Sequence, residues 1–537
     1  MLEVSLITVA IALILGTLLY RYLTRNDFYF ADKPIPFLRP TLLVGSLGPL
    51  MMKKRDIMEH FRILYNTFPD AKVFGLFSMA TPAFMIRDPE MAKRIAVKDF
   101  DHFVDHTGFG AVAPELENSH MLVNNTLVAL RGEKWRDMRA TLSPAFTGSK
   151  MRQMFELISD CGQSVVQYYR GLGGSQVVEM KDVFSRFAND VIATAAFGIK
   201  VDSFREQDNI FFTLGKQVVQ PNGLVSLLKL TGFTLFPKLM LKLKIDFLTK
   251  EQDQFFRGMV LDTMRTRAEQ NIFRPDMIEL LIQAKKGQLK HQGEDQLLTE
   301  EGFATVEESQ VGRKYHSRVW SDNELIAQAF IFFFAGFETV STTLSLVVYE
   351  LTRNVEVQRK LFEEIRETQR KLEGRPLSYD TLQGMKYMDM VISEALRVWP
   401  IGTIVDRVCV KDYVYDDGQG CRFTIEKGKS IMVSTIGMHF DPQYYPEPEK
   451  FDPERFSDEN RHKINMGTYL PFGLGPRNCI GSRFALMEMK TIVYHLLNSF
   501  SFEVHEKTQI PLKIAKSMTQ FTTEKGVWVE MRPRSDN

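Results

Sequence analysis

Cysteine is scarce, with four in 537 residues: Cys161, Cys409, Cys421 and Cys479. So few and so scattered, they exclude a disulfide framework. None forms a C-x-x-C pair, which argues against a structural zinc site. An excess of one charge sign is also missing, because 67 basic residues face 66 acidic ones for a net +1. That balance excludes the lopsided basic surface of a nucleic-acid binder, while a local basic patch remains compatible with it. No Pro-, Gly- or Ser-rich run long enough to be an interdomain linker interrupts the chain, and no internal repeat is present. Length alone suggests three or four domains at about 150 residues each. Without linkers, one large domain is the preferred reading. Three of the cysteines read as free thiols in a reducing compartment, and Cys479 is the exception.

What is present begins at the N-terminus. Val4 to Tyr20 is an apolar run broken only by Ser5, Thr8, Gly16 and Thr17. About seventeen to twenty helical residues just cross a hydrocarbon core. Arg21 and Arg25 follow the run and Glu3 precedes it, which places the bulk of the chain on the cytosolic side. A cleaved signal peptide would begin with a basic segment and end at a small-residue site, and neither is found. The expected organisation is a transmembrane anchor over residues 1–25, a stiff hinge over 26–45 carrying Pro34, Pro36 and Pro40, and a single domain over 46–537. Asn124-Asn125-Thr126 is a glycosylation sequon by pattern, expected to stay unmodified in a cytosolic chain.

β-patterned runs at Lys72–Phe77 and Ala83–Arg87 flank a turn placed at Pro82, and Asp88-Pro89-Glu90 reads as a helix start. From there to about residue 400 the periodicity is helical. Glu324 to Thr352 is apolar on most faces, which predicts a helix through the middle of the protein. Lys285 to Asp322, polar and rich in Gly, Gln and Glu, predicts a surface loop. Strand patterns return at Tyr413–Tyr415, Arg422–Ile425, Ile431–Thr435 and Val527–Met531. The fold class is mainly α with small β-sheets.

Phe472-Gly473-Leu474-Gly475-Pro476-Arg477-Asn478-Cys479-Ile480-Gly481 carries the chemistry. Its glycines allow close backbone approach or φ > 0, Arg477 offers a cation suited to carboxylates, and a thiolate in such a loop is stabilised by backbone N–H groups and a metal. A metal ligand beside a carboxylate-binding cation suggests haem iron, with the propionates as the carboxylates. Taken alone, C-x-G is a glycine-rich loop with an incidental cysteine. Here, however, the residues meet all five fixed positions of F-x-x-G-x-R-x-C-x-G, which resembles the haem loop of the cytochrome P-450 superfamily.

Other segments carry the same resemblance. Glu394-Ala395-Leu396-Arg397 reads alone as a surface ion pair on one helix face. With Arg455 in Pro453-Glu454-Arg455-Phe456 it resembles the family's E-x-x-R and PERF pieces, which form a buried ion network behind the haem loop. Ala335-Gly336-Phe337-Glu338-Thr339 resembles the oxygen-activation motif, in which Glu338 and Thr339 relay protons and Gly336 relaxes the helix. Without that context, Thr339 is a helix threonine bonding a carbonyl one turn back. The family often has a second hydroxyl residue after the threonine, but Val340 stands there.

The resemblance implies a P-450 fold behind one transmembrane helix and a haem b whose iron is ligated by the Cys479 thiolate. Cofactor-binding residues would be Trp135, Arg139, Arg407, Gly475, Arg477, Cys479 and Gly481. Phe334, Ala335, Ile401 and Val405 would bound an apolar substrate. Electrons would come from NADPH through NADPH–cytochrome P-450 reductase, with cytochrome b5 as an optional second donor, docking on a basic patch drawn from Arg131, Lys134, Arg136 and Arg483. Phe233 to Leu243 is expected at the lipid surface. Trp399-Pro400-Ile401 through Arg407-Val408-Cys409 resembles insect detoxification and vertebrate drug-metabolising members. The implied function is oxygenation of lipophilic xenobiotics at the endoplasmic reticulum membrane, with no nucleic-acid partner. The competing readings are a hydroxylase of an endogenous steroid, terpenoid or fatty acid, and a non-catalytic haem-binding membrane protein.

Overall fold

The computed structural model describes residues 2–107, 119–219, 225, 228–229, 232–233, 237–274, 276–286, 302–306, 318–517 and 521–534. The chain divides into two compact units. One comprises Met1–Asp105, Thr403–Met438 and Ile514–Gln520, and the other His106–Gly402, His439–Lys513 and Phe521–Asn537.

The first unit opens with helix α1, Leu2–Thr24. Its apolar side chains from Val9 to Leu18 point outward. Within it, Thr8–Thr24 is a shorter apolar stretch. Among the described residues, the one helix long and apolar enough to cross is Asp322–Arg353, and its apolar window is 67% buried inside the protein. A four-stranded sheet follows in the order β1-β2-β7-β4. It is built from β1 Val73–Ser78, β2 Thr81–Ile86, β4 Ile404–Val408 and β7 Ser430–Ser434, and β5 Tyr413–Asp416 pairs antiparallel with β6 Arg422–Ile425 beside it in sequence. The β1–β2 and β4–β7 pairs are antiparallel, while β2 runs parallel to β7 from Ala83 onward. Pro82 lies inside β2 rather than in the turn, which is made at Met79 with φ 54°. Pro82 escapes a ladder penalty because it precedes the first β7 pairing. The Asp88 carboxylate caps the next helix by accepting from the Met91 N–H at 2.7 Å, as its Asp-Pro-Glu start requires.

In the second unit the helices that build the site are α2 Gly132–Leu142, α3 Gly148–Leu172, α4 Met180–Ala195, α5 Met277–Lys285, α6 Asp322–Arg353, α8 Lys386–Val398 and α9 Ser482–Ser499. Helix α7, Val355–Leu372, follows α6 directly. Helix α6 starts at a capping box, with Ser321 and Glu324 each satisfying the other's backbone N–H. It then runs unbroken for 32 residues. Phe330, Phe333 and Phe337 anchor it in an aromatic cluster with Phe211, Phe212 and Phe256. A small sheet of order β3-β9-β8 completes the unit, from β3 Gln176–Glu179, β8 Phe500–Glu503 and β9 Trp528–Pro533. Most of the loop expected between Lys285 and Asp322 lies outside the described residues.

One expectation changes here, and another gains a second ground. Phe233 is fully buried and stacks on Phe247 at 4.3 Å, so it does not face lipid. Exposed Leu239 and Leu243 remain on that segment. The sequon Asn124 is buried, and its amide donates to the Ser119 hydroxyl at 2.9 Å. That burial is a second reason to expect no glycan.

Candidate active site

Helix α6 presents one face to a cavity. Phe332, Ala335, Gly336, Thr339 and Val340 line it together with Phe146, Ile192, Cys479, Ile480, Gly481 and Phe484. The spacing of the α6 residues is that of a single helical face. Ala335 and Thr339 are exposed on a helix that is otherwise largely buried, so their free surface opens onto this space. Thr339 Oγ1 donates to the Ala335 carbonyl at 2.6 Å, the back-bond open to any helix threonine. Helix α6 continues unbroken through Gly336. A Cβ there would stand 2.8 Å from Ile192 Cδ1, so glycine serves the close approach of α4 to α6.

Glu338 points elsewhere. Its Oε2 is 3.1 Å from the Lys181 ammonium on α4. Lys181 also donates to the Glu338 carbonyl at 3.2 Å and to the Ser341 and Thr342 hydroxyls at 2.7 Å each. Burial lowers the Lys181 pKa, while the Glu338 charge opposes that shift. Acid and alcohol are neighbours in sequence but sit on different faces, with the acid engaged by a cation. Nothing in the sequence around Lys181 signals that partnership.

The cysteine loop is shaped by Gly473 at φ 83° and Gly475 at φ 72°, left-handed positions that favour glycine. Gly481 sits at φ −94° and needs no such freedom. Arg477 is buried, lies 4.1 Å from the Trp135 ring centroid, and donates to the Leu127 and Leu130 carbonyls at 3.2 and 2.6 Å. Arg139 donates to the Asn478 carbonyl and to its side-chain oxygen, both at 2.8 Å. Trp135, Arg139 and Arg477 are thereby gathered around the loop, Arg139 through the residue next to the thiol. Asn478 stands at an unspecified motif position, so sequence reasoning passed over it.

Cys479 is exposed by surface area, and that surface is part of the cavity wall. Burial of the site pushes its thiol pKa up, while the Gly481 N–H and the positive field of Arg139 pull it down. Glu394 and Arg397 on α8 form a pair with no side-chain exposure, Nε to Oε2 at 2.7 Å and Nη2 to Oε1 at 2.9 Å. Arg455 approaches Glu394 at 3.4 Å. Burial raises the Glu394 pKa and Arg397 counteracts it. The E-x-x-R pair is therefore not the surface ion pair that its spacing alone suggests.

Other expected site residues are not among those that line the cavity. Phe334 packs near Phe330, with centroids 6.3 Å apart, and Phe332 takes the lining position. Ile401 is half-buried just beyond α8 and is not a lining residue. Val405 and Arg407 belong to β4 of the first unit, opposite Val433 and Ile431. Burial lowers the Arg407 pKa to about 10, against the opposing charge of Asp406. Among the proposed docking cations, Lys134 pairs with Glu324 at 2.7 Å, which offsets its charge.

Comparison with known proteins agrees with the geometry. The family model described as Cytochrome P450 matches residues 35–528. Cytochrome P450 9e2 of Blattella germanica is 41% identical over 529 residues, covering 96% of this chain and 95% of that protein. Probable cytochrome P450 9f2 of Drosophila melanogaster is 40% identical, covering 98% and 99%. Cytochrome P450 3A41 of Mus musculus is 34% identical, covering 99% and 97%.

Such a match implies a haem ligated through a cysteine thiolate, and the residues present fit that group. A cavity runs between the Cys479–Gly481 loop and the Ala335–Thr339 face, with an accessible thiol on its wall. At Gly481 a Cβ would meet only the Phe146 ring at 3.8 Å, so the cradle beside the thiol is open. Matched along nearly its whole length, by sequence and by the way it frames a thiol, the chain belongs to the cytochrome P450 family and is an oxidoreductase of the monooxygenase class.

Proposed function

We propose that this enzyme inserts one oxygen atom of O2 into lipophilic small molecules, chiefly xenobiotics, at the cytosolic face of the endoplasmic reticulum membrane. In this reading α1 anchors the chain, and electrons come from NADPH through NADPH–cytochrome P-450 reductase. The observation that carries it is one cavity with Cys479 on one wall and Thr339 on another. Haem bound there, through the Cys479 thiolate, would supply the oxygen-activating chemistry.

The chain's own residues supply the rest. Arg139 and the Gly481 N–H favour the anionic form of the Cys479 sulfur. Thr339 holds a hydroxyl at the cavity surface, its proton resting on the Ala335 carbonyl and available to another acceptor by rotation. Glu338, on another face of the helix and held by Lys181, would resupply that proton only after leaving the ion pair and taking up a proton itself. Phe146, Phe332, Ile192 and Phe484 exclude water from this end of the cavity.

Those apolar walls support a broad lipophilic range. They give shape and area but few directional bonds, and apolar pockets discriminate weakly between similar molecules. The polar lining residues Lys150, Asp276, Glu279 and Gln283 come from α3 and from the cap and body of α5.

Two measurements test the reading. The reduced, carbon-monoxide-bound spectrum of the parent should show thiolate ligation, and Cys479→Ser should abolish it. With reductase present, lipophilic insecticides should be turned over alongside steroids and fatty acids. Turnover of a single endogenous class and of no xenobiotic would favour a dedicated hydroxylase.

A further inference from the structure

The segment that delivers the cysteine loop is tied to α8 by a buried imidazole outside every motif named so far. His439 has no exposed surface. Its ring stacks on Tyr469 with centroids 5.6 Å apart and planes 18° from parallel. Nε2 lies 2.9 Å from the Leu470 amide nitrogen. A backbone N–H only donates, so Nε2 is the accepting nitrogen. Nδ1, 2.9 Å from the Arg397 carbonyl, therefore bears the proton and donates it. Two partners fix one tautomer. Burial favours the neutral ring as well, lowering its pKa to about 3.

The bonding continues toward the thiol. The Leu470 carbonyl accepts from the Gly473 N–H at 3.2 Å. That N–H belongs to the same peptide as the Phe472 carbonyl, which accepts from the Cys479 N–H at 2.8 Å. The file thus has two hydrogen-bonded stretches joined through the Leu470 backbone: Cys479 by way of the Phe472–Gly473 peptide to the Leu470 carbonyl, and the Leu470 N–H by way of His439 to the Arg397 carbonyl. Gly473, at φ 83°, supplies the left-handed turn in which its peptide joins both bonds. Within each stretch the hydrogen bonds polarise one another, and the Leu470 backbone carries the positional constraint between them. Residues behind a metal ligand commonly set its orientation this way.

We propose that His439 is a positioning residue for the iron-binding thiolate, clamping Leu470 so that the Phe472–Gly473 peptide holds the Cys479 backbone with its sulfur facing the cavity. The inference rests on the reading of Cys479 as the iron ligand. Tyr469 provides the internal control. Its hydroxyl ties the same segment to the Ser393 carbonyl at 2.9 Å, but that bond lies outside the file.

The test uses the holoenzyme. His439→Phe keeps an aromatic ring against Tyr469 and removes both hydrogen bonds. Its haem-loaded fraction should lose thiolate ligation in the reduced carbon monoxide spectrum. Amide exchange in the peptide spanning residues 470–479 should quicken by roughly threefold to tenfold, the scale of one net hydrogen bond. Tyr469→Phe should melt earlier yet keep both the parent spectrum and slow exchange at Gly473 and Cys479. If His439→Phe fails to accumulate, His439→Asn decides. It retains a donor toward Arg397 but lacks the reach to Leu470, and it should show the same spectral loss. Parent-like spectrum and exchange in either His439 variant, or an equal spectral loss in Tyr469→Phe, would overturn the clamp. Absence of thiolate ligation in the parent would instead overturn the assignment of Cys479.

Discussion

Replacing Glu394 with alanine should leave a protein that neither holds haem nor withstands mild denaturation. The Glu394 carboxylate receives Nε and Nη2 of Arg397 at 2.7 and 2.9 Å, the Asp452 N–H at 2.8 Å and Arg455 at 3.4 Å. Neither Glu394 nor Arg397 has any side-chain exposure. Breaking a buried pair by removing one partner costs about 3–5 kcal/mol, because the remaining charge is left uncompensated. Stranding the Asp452 N–H adds about 1–3 kcal/mol. Against a total stability of about 5–15 kcal/mol, that is a large share.

Removing both charges should not restore the fold. Arg397 also donates to the His439, Pro448 and Lys450 carbonyls, at 2.8, 2.9 and 3.2 Å. A Glu394→Met, Arg397→Met double variant would strand all three. Denaturant melts, haem absorbance per protein and the reduced carbon monoxide spectrum measure the effect. An alanine variant with unchanged melt and haem content would refute the reasoning. So would a double variant restored to parent stability, since that would make the pair an isolated charge couple.

Two further outcomes are expected. Lys181→Met removes the counter-ion of the half-buried Glu338 and should lower stability by about 1–3 kcal/mol, with less product formed per NADPH consumed. Lys181→Arg should recover most of both, and a methionine variant equal to the parent in melt and coupling would remove Lys181 from the account. Glu488 on α9 has no exposed surface, and among the described residues neither of its carboxyl oxygens has a hydrogen-bond partner. Burial raises its pKa well above the ordinary value. Its folded-state pKa exceeds its unfolded one, so its contribution is fully present below about pH 4.3, the ordinary glutamate value, and is lost as pH rises toward the folded pKa. Glu488→Gln should therefore raise the melting temperature more at pH 8 than at pH 5, and an equal change at both would refute this.

How much of the molecule was legible in its sequence follows from the distance over which each feature is encoded. The Phe472–Gly481 loop and the capped helix α6 are local, so spacing and periodicity find them. The strand patterns near residues 73–86 and 413–434 are similarly local and correspond to observed strands. What escaped are partners distant in the chain. Lys181 meets Ser341 across 160 positions and Arg139 meets Asn478 across 339, and no local pattern couples such pairs.

Phe334 is different, because there the information was present and the period decides it. A helix turns about 100° per residue. With Thr339 on the cavity, positions three, four and seven before it share that face, and these are Gly336, Ala335 and Phe332. All three line the cavity. Phe334 lies five before Thr339, about 140° around the helix, and packs near Phe330 instead. Phe333 and Phe337, on other bearings again, join the buried aromatic cluster. Three consecutive phenylalanines therefore take different roles through helix phase alone, and a substitution meant to reshape the substrate wall belongs at Phe332.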